Sequence, residues 1–137
     1  MLDKEDSNSM GYKYLNLNPK NRKVGDCSIR AVAAALLIHW DDAYRLLAEA
    51  GMKLKCSMED VKAVNEVMIN HGFIVGKIKV DKGEHRPTVE SFSEQHPNYI
   101  CVLRVANHIT ACAMGNYVDI WDCGDKSVYK YWYKQIK

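Results

Sequence analysis

No stretch of this chain is long and apolar enough to cross a membrane as a helix. The longest apolar run, residues 29–38, covers ten positions and is interrupted by Arg30, whereas a span needs about 20 apolar residues. No block of like charge is present either. Nineteen basic residues stand against seventeen acidic ones, and the small group Lys20, Arg22 and Lys23 is broken by Asn21, so it reads as a solvated loop and gives no argument for nucleic acid. The eight glycines are scattered, which leaves no glycine-rich phosphate loop. Cys-x-x-Cys and His-x-x-x-His pairs are missing. A metal reading is therefore left with the dispersed set Cys101, His108, Cys112 and Cys123, and structural zinc normally wants a close pair. The five cysteines are odd in number and lack close spacings, which argues against a disulfide framework. With a polar, acidic Met1–Ser9 that does not look like a secretory signal, the expected location is a reducing cytoplasm. Internal repeats and low-complexity segments are also missing.

What is present is enough for one core. At 137 residues and 47% apolar content, the chain fits a single domain, expected over residues 11–137 behind a flexible tail at 1–10. Residues 11–25 read as an irregular lead-in with Pro19 as a breaker. A first helix is expected from Asp26 to Ile38. It is apolar on every side, hence buried and central. Asp41 can cap a second helix, Asp42–Ala50, with Gly51 as its stop. A third should begin at Ser57 and run to Asn70, with Val61, Val64, Met68 and Ile69 inward. Thr88 can cap a short fourth helix that ends before Pro97. Strands are expected at Phe73–Val80, Tyr99–Val105, His108–Ala113, Tyr117–Trp121 and Val128–Tyr133, the hairpin after His108 turning at Gly115-Asn116. Helices first and an antiparallel meander last predict an α+β fold with the helices on one face of the sheet. The aromatic residues crowding the C-terminal strands read as core and cross-strand packing.

The chemistry concentrates in three places. Cys27 follows a Gly-Asp pair at the front of the first helix. There, unpaired N–H groups and the helix dipole favour the thiolate, which is the nucleophilic form. Asp26 can cap that helix or pair with Arg30 four residues on. Of the five histidines only His108 begins a strong strand, so only His108 sits on a rigid element that can aim an imidazole. Asp119 lies on the next strand and can orient it. A hairpin at Gly115-Asn116 sets Asp119 opposite residues 111–113, from which only a diagonal or a bulge reaches His108, so Asp122 and, more weakly, Asn116 are rivals. For an oxyanion, the Cys27 N–H is available. Asn21 is the best-placed side-chain donor, and Asn18 and Asn16 compete with it.

The segment Asn21…Gly25-Asp26-Cys27-Ser28-Ile29-Arg30-Ala31 and the segment His108-Ile109-Thr110…Gly115-Asn116-Tyr117-Val118-Asp119-Ile120-Trp121-Asp122, with Tyr131-Trp132 after them, resemble the papain-like cysteine peptidase superfamily. They are most similar to small phage and bacterial C39-peptidase-like proteins. The resemblance spans about residues 20–133. It implies a papain-like fold in which a buried nucleophile helix packs on a C-terminal antiparallel sheet. It also implies Cys27 as nucleophile, His108 as base, Asp119 as its orienter, and Asn21 as oxyanion donor where the superfamily usually has glutamine. The implied activity is a cysteine-dependent hydrolase or acyltransferase of peptidase or amidase type. It would act on a peptide or protein through a thioester, with no cofactor and no metal. The superfamily also contains inactive binders. The alternative is thus a non-catalytic, phage-type binding or inhibitor module directed at a host protein in the host cytoplasm. Fold alone does not decide between these.

Overall fold

Residues 29–38 offer no polar face, so a helix built from them must lie between other layers. The computed structural model, which describes residues 11–136, puts it there; the expected tail at 1–10 lies outside the described residues. Among the described residues, six strands and four helices follow one another as β1 Gly11–Tyr14, α1 Cys27–Leu36, α2 Trp40–Leu54, α3 Val61–Asn70, β2 Ile74–Lys77, α4 Val89–Gln95, β3 Tyr99–Val105, β4 His108–Ala113, β5 Asn116–Asp119 and β6 Lys130–Gln135. The fold is mixed α+β, and among the described residues no helix is long and apolar enough to cross a membrane.

The strands form one sheet in the order β1-β5-β4-β3-β6-β2. The C-terminal strands pair antiparallel as expected, but residues 11–14 are not irregular: they add a parallel edge strand to β5. Alternation along the strands sends side chains to two cores. Val102, Ile109, Ala111 and Trp132 meet α1, α2 and α3 on one face. Cys101, Leu103, Val105, Cys112 and Tyr117 meet Val89 and Phe92 of α4 on the other. The expectation of helices on one face is therefore corrected. The apolar residues on the second side of the sheet need a cover, and α4, closed by a capping box between Thr88 and Ser91, supplies it.

Several boundaries move for identifiable reasons. Helix α1 stops at Leu36 because Leu37 adopts the left-handed conformation, its N–H bonding Ala33 O, and Leu37 is 84% exposed. Gly51 does not end α2. It lies inside the helix, where a Cβ would come within 2.9 Å of Cys56 O and 3.0 Å of Met58 N, so glycine allows the following loop to pack close. Helix α3 starts at Val61, capped by Asp60, because the Ser57 hydroxyl accepts from Glu59 N in a preceding turn. Val64 and Met68 face inward as expected, joined by Ala63 and Val67, while Ile69 is exposed.

The hairpin between β4 and β5 turns at Met114-Gly115, not at Gly115-Asn116: Ala113 pairs with Asn116, and both turn residues have positive φ, 54° and 85°. That is the geometry of a tight hairpin turn, with an unfavourable methionine in the left-handed position. Met114 is largely exposed. Met114→Asn should therefore raise stability by about 1 kcal/mol, since asparagine tolerates this conformation. Urea unfolding at unchanged slope checks this, and a loss of stability would contradict the turn assignment.

Candidate functional site

The turn position decides the site. With Ala111 opposite Val118, the register carried one step further brings Asp119 opposite Thr110, and the Thr110 hydroxyl bonds Val118 O at 3.1 Å. His108 is then the diagonal neighbour of Asp119 on the same face, within reach of a direct contact. His108 Nε2 lies 2.6 Å from Asp119 Oδ2. Asp119, and not Asp122, is the partner, because Asp122 Oδ1 accepts from the Tyr117 hydroxyl at 2.5 Å and from Gly124 N at 2.9 Å.

Helix α1 packs on β4 and delivers Cys27 to the start of that strand. The Cys27 sulfur interacts with the His108 ring and with the Ile109 N–H. With Nε2 engaged by Asp119, Nδ1 is the ring nitrogen left for the thiol. Cys27 and His108 both line an open cleft of about 550 Å³ whose walls are Gly25 and Ser28, the Glu59–Val61 segment, and the Arg104–Ile109 hairpin. Trp121 lies against the imidazole, ring centroids 4.9 Å apart.

The carboxylate behind the histidine is buried, at 2% exposure. Its Oδ1 accepts from Arg30 Nη1 at 2.9 Å and from the Ile120 N–H at 2.7 Å. Its Oδ2 takes, besides His108, the Cys123 thiol at 3.6 Å. Arg30 in turn donates from Nε to Asp26 Oδ1 at 2.8 Å, and Asp26 Oδ2 accepts from Trp40 Nε1 and Asn18 Nδ2. Asp26 thus takes the second of its two expected roles. It pairs with Arg30 and makes no side-chain cap on α1, which leaves the first N–H groups of that helix for the thiol.

Charges follow this geometry. Burial disfavours ionised Asp119, but the hydrogen bond and charge of His108, with Thr110 and Arg30, outweigh it and hold the carboxyl at about 2. Burial likewise opposes imidazolium, yet Asp119, then Cys123 and Cys27, raise His108 to about 11. Cys27 is also penalised by burial, but His108, the Ile109 N–H and the Arg30 charge bring it below the ordinary thiol value. Both shifts favour a thiolate–imidazolium pair at neutral pH.

The remaining candidates separate from this centre. Asn21 is exposed, with φ 53°, and is not among the residues lining the cleft around Cys27. Asn16 Nδ2 is bound to Arg22 O and Asn18 Nδ2 to Asp26, so both serve to shape the loop before α1. The donors near the thiol are backbone N–H groups. Asn116 accepts from Gly11 N at the far end of β5. The dispersed cysteine-histidine set splits: Cys101 and Cys112 face each other across β3 and β4, while His108, Asp119 and Cys123 offer donor atoms within 4.8 Å of one another. That trio could hold an ion only by giving up the short His108–Asp119 bond. Sequence reasoning missed Cys123 and Trp121 as neighbours of the site and the link from Arg30 to Asp119. The available signal for the last was a lone arginine in an apolar helix, which burial obliges to find carboxylates.

No protein-family model, no curated protein and no solved structure matches this chain.

The pH dependence of stability follows with its sign. Asp119, depressed in the fold, contributes stability present above its unfolded value of about 4 and lost as pH falls through about 2. His108, raised in the fold, contributes stability present below about 6.5 and lost as pH rises towards about 11. Asp119→Asn should cost about 3 kcal/mol between those limits, the order expected for breaking a buried pair. The cost should shrink on both sides. A cost independent of pH in urea unfolding would show that the carboxylate charge is not coupled to His108.

Proposed function

We propose that this chain is a cysteine-dependent hydrolase or acyltransferase of peptidase or amidase type, built on a papain-like fold. The observation that carries this reading is the placement of His108 between Cys27 on the helix front and a buried, ionised Asp119. The order of cysteine on a buried helix, then histidine and acid on two antiparallel strands, supports the resemblance carried by the same residues.

In this reading the Cys27 thiolate attacks an acyl carbon lying in the cleft, and the carbonyl pair moves onto oxygen. The N–H groups of the first turn of α1 are oriented to receive that charge. The C–N bond then breaks, the nitrogen leaves with the proton from His108 Nδ1, and a thioester remains on Cys27. Neutral His108 next takes a proton from water, giving hydrolysis, or from an amine, giving acyl transfer. Attack on the thioester carbon expels Cys27 as thiolate and restores the imidazolium. Asp119 stays ionised throughout and fixes the ring with Nε2–H towards itself. The open cleft suits a peptide or protein segment.

A thiol-directed electrophilic probe tests the proposal. At neutral pH it should label Cys27 ahead of Cys56, Cys101, Cys112 and Cys123. In His108→Ala the rate at Cys27 should fall at least about tenfold, and its pH profile should move up towards the unperturbed thiol value of about 8.5. Equal labelling of Cys27 in the two proteins would overturn the hydrolase reading and leave a non-catalytic binding module.

A further inference from the structure

Arg30 is an unusual residue for its place. It sits at the end of the first turn of the apolar helix α1, 7% exposed, and a buried cation is tolerated only with partners that replace water. Its partners are two carboxylates on different elements: Nε on Asp26 at 2.8 Å and Nη1 on Asp119 at 2.9 Å. A planar guanidinium can serve both at once because its donors point in fixed, different directions. Asp26 is itself held from the other side by Trp40 Nε1 at 2.9 Å and Asn18 Nδ2 at 3.2 Å. Each member of the chain Asn18/Trp40–Asp26–Arg30–Asp119–His108–Cys27 is therefore fixed by the next, and the charged groups alternate in sign.

We infer that Arg30, anchored by Asp26, is a positioning residue that acts through Asp119. It grips Oδ1 and so turns Oδ2 towards His108 Nε2, which in turn directs Nδ1 at Cys27. This inference rests on the Cys27–His108 reading above. Two observations favour it over a role in holding the fold together. A buried charged triad is a poor source of stability compared with apolar residues of the same volume. Asp26, moreover, occupies the N-cap position of α1 without capping it. Its engagement with Arg30 leaves the N–H groups of the first turn free where the thiol needs them, so one residue serves both requirements.

The test is the pH profile of Cys27 alkylation in the full chain, with folding checked by circular dichroism. Arg30→Lys keeps the charge and loses the fork, and should move the profile up by about one pH unit. In an Asp119→Asn background the same substitution should cause no further shift, because the route is already cut. A full shift in that background would overturn the inference, because Arg30 would then act on the thiol by a route other than Asp119. Asp26→Asn, which keeps the side-chain shape and the buried cation, gives the reading that does not depend on Arg30→Lys folding. A loosened clamp should shift the profile upward, whereas removal of a negative charge alone should shift it downward, so a downward or absent shift overturns the inference. His108→Ala in the same series separates the two failures. If its profile matches the wild type, the Cys27–His108 reading fails. If it moves while the Arg30 and Asp26 variants do not, only the clamp fails.

Discussion

Everything at the candidate site depends on one buried carboxylate. Asp119 ends β5, receives His108 on one oxygen and Arg30 and the Ile120 N–H on the other, and so ties the end of the sheet to the first helix. An ionised carboxylate at this depth persists only because its hydrogen bonds are made by cations and a backbone donor. Remove the carboxylate and His108 loses its buried counter-ion, while Arg30 keeps only Asp26. The alignment of Cys27 with His108 then has nothing behind it. The two apolar cores on either face of the sheet supply the rigidity, and Asp119 converts that rigidity into a fixed direction for one imidazole.

The same arrangement accounts for the electrostatics without an appeal to the helix dipole alone. Burial acts against every charged form in the group, and its effect is overcome at each step by the neighbour of opposite sign. The dipole and free N–H groups of α1 add to this at the thiol. They are available because Asp26 turns away from them towards Arg30, Trp40 and Asn18. A fully open thiol at the same helix terminus would have the dipole but not the imidazolium.

Much of this was legible in the sequence. Cys27 on the front of a buried helix follows from the apolar run behind it, and His108 stands out because it alone begins a strong strand. Strands β3 and β4 fall where alternation and turn residues put them. What was hidden has physical causes. Met114 adopts a left-handed conformation that local propensity disfavours, so the hairpin looked one residue later than it is and Asp119 seemed out of register with His108. The parallel pairing of residues 11–14 with β5 is a non-local contact with no local signature. The move of α4 to the opposite face answers the apolar second side of the sheet, which strand periodicity shows only once the neighbouring strands are known. Sequence distance from Cys27 favours Asn21, whereas the loop before α1 is folded by Asn16 and Asn18 and leaves Asn21 facing water.

The central claim is that His108 is an imidazolium facing a thiolate at neutral pH. Its most direct test is the ring nitrogen chemical shifts of His108 followed through a pH titration, in the wild type and in Cys27→Ser. The account predicts both ring nitrogens protonated at neutral pH in the wild type, deprotonation only well above the unperturbed histidine value of about 6.5, and a lower transition once the thiol is removed. A neutral ring at neutral pH that titrates near the unperturbed value and is indifferent to Cys27→Ser would contradict it.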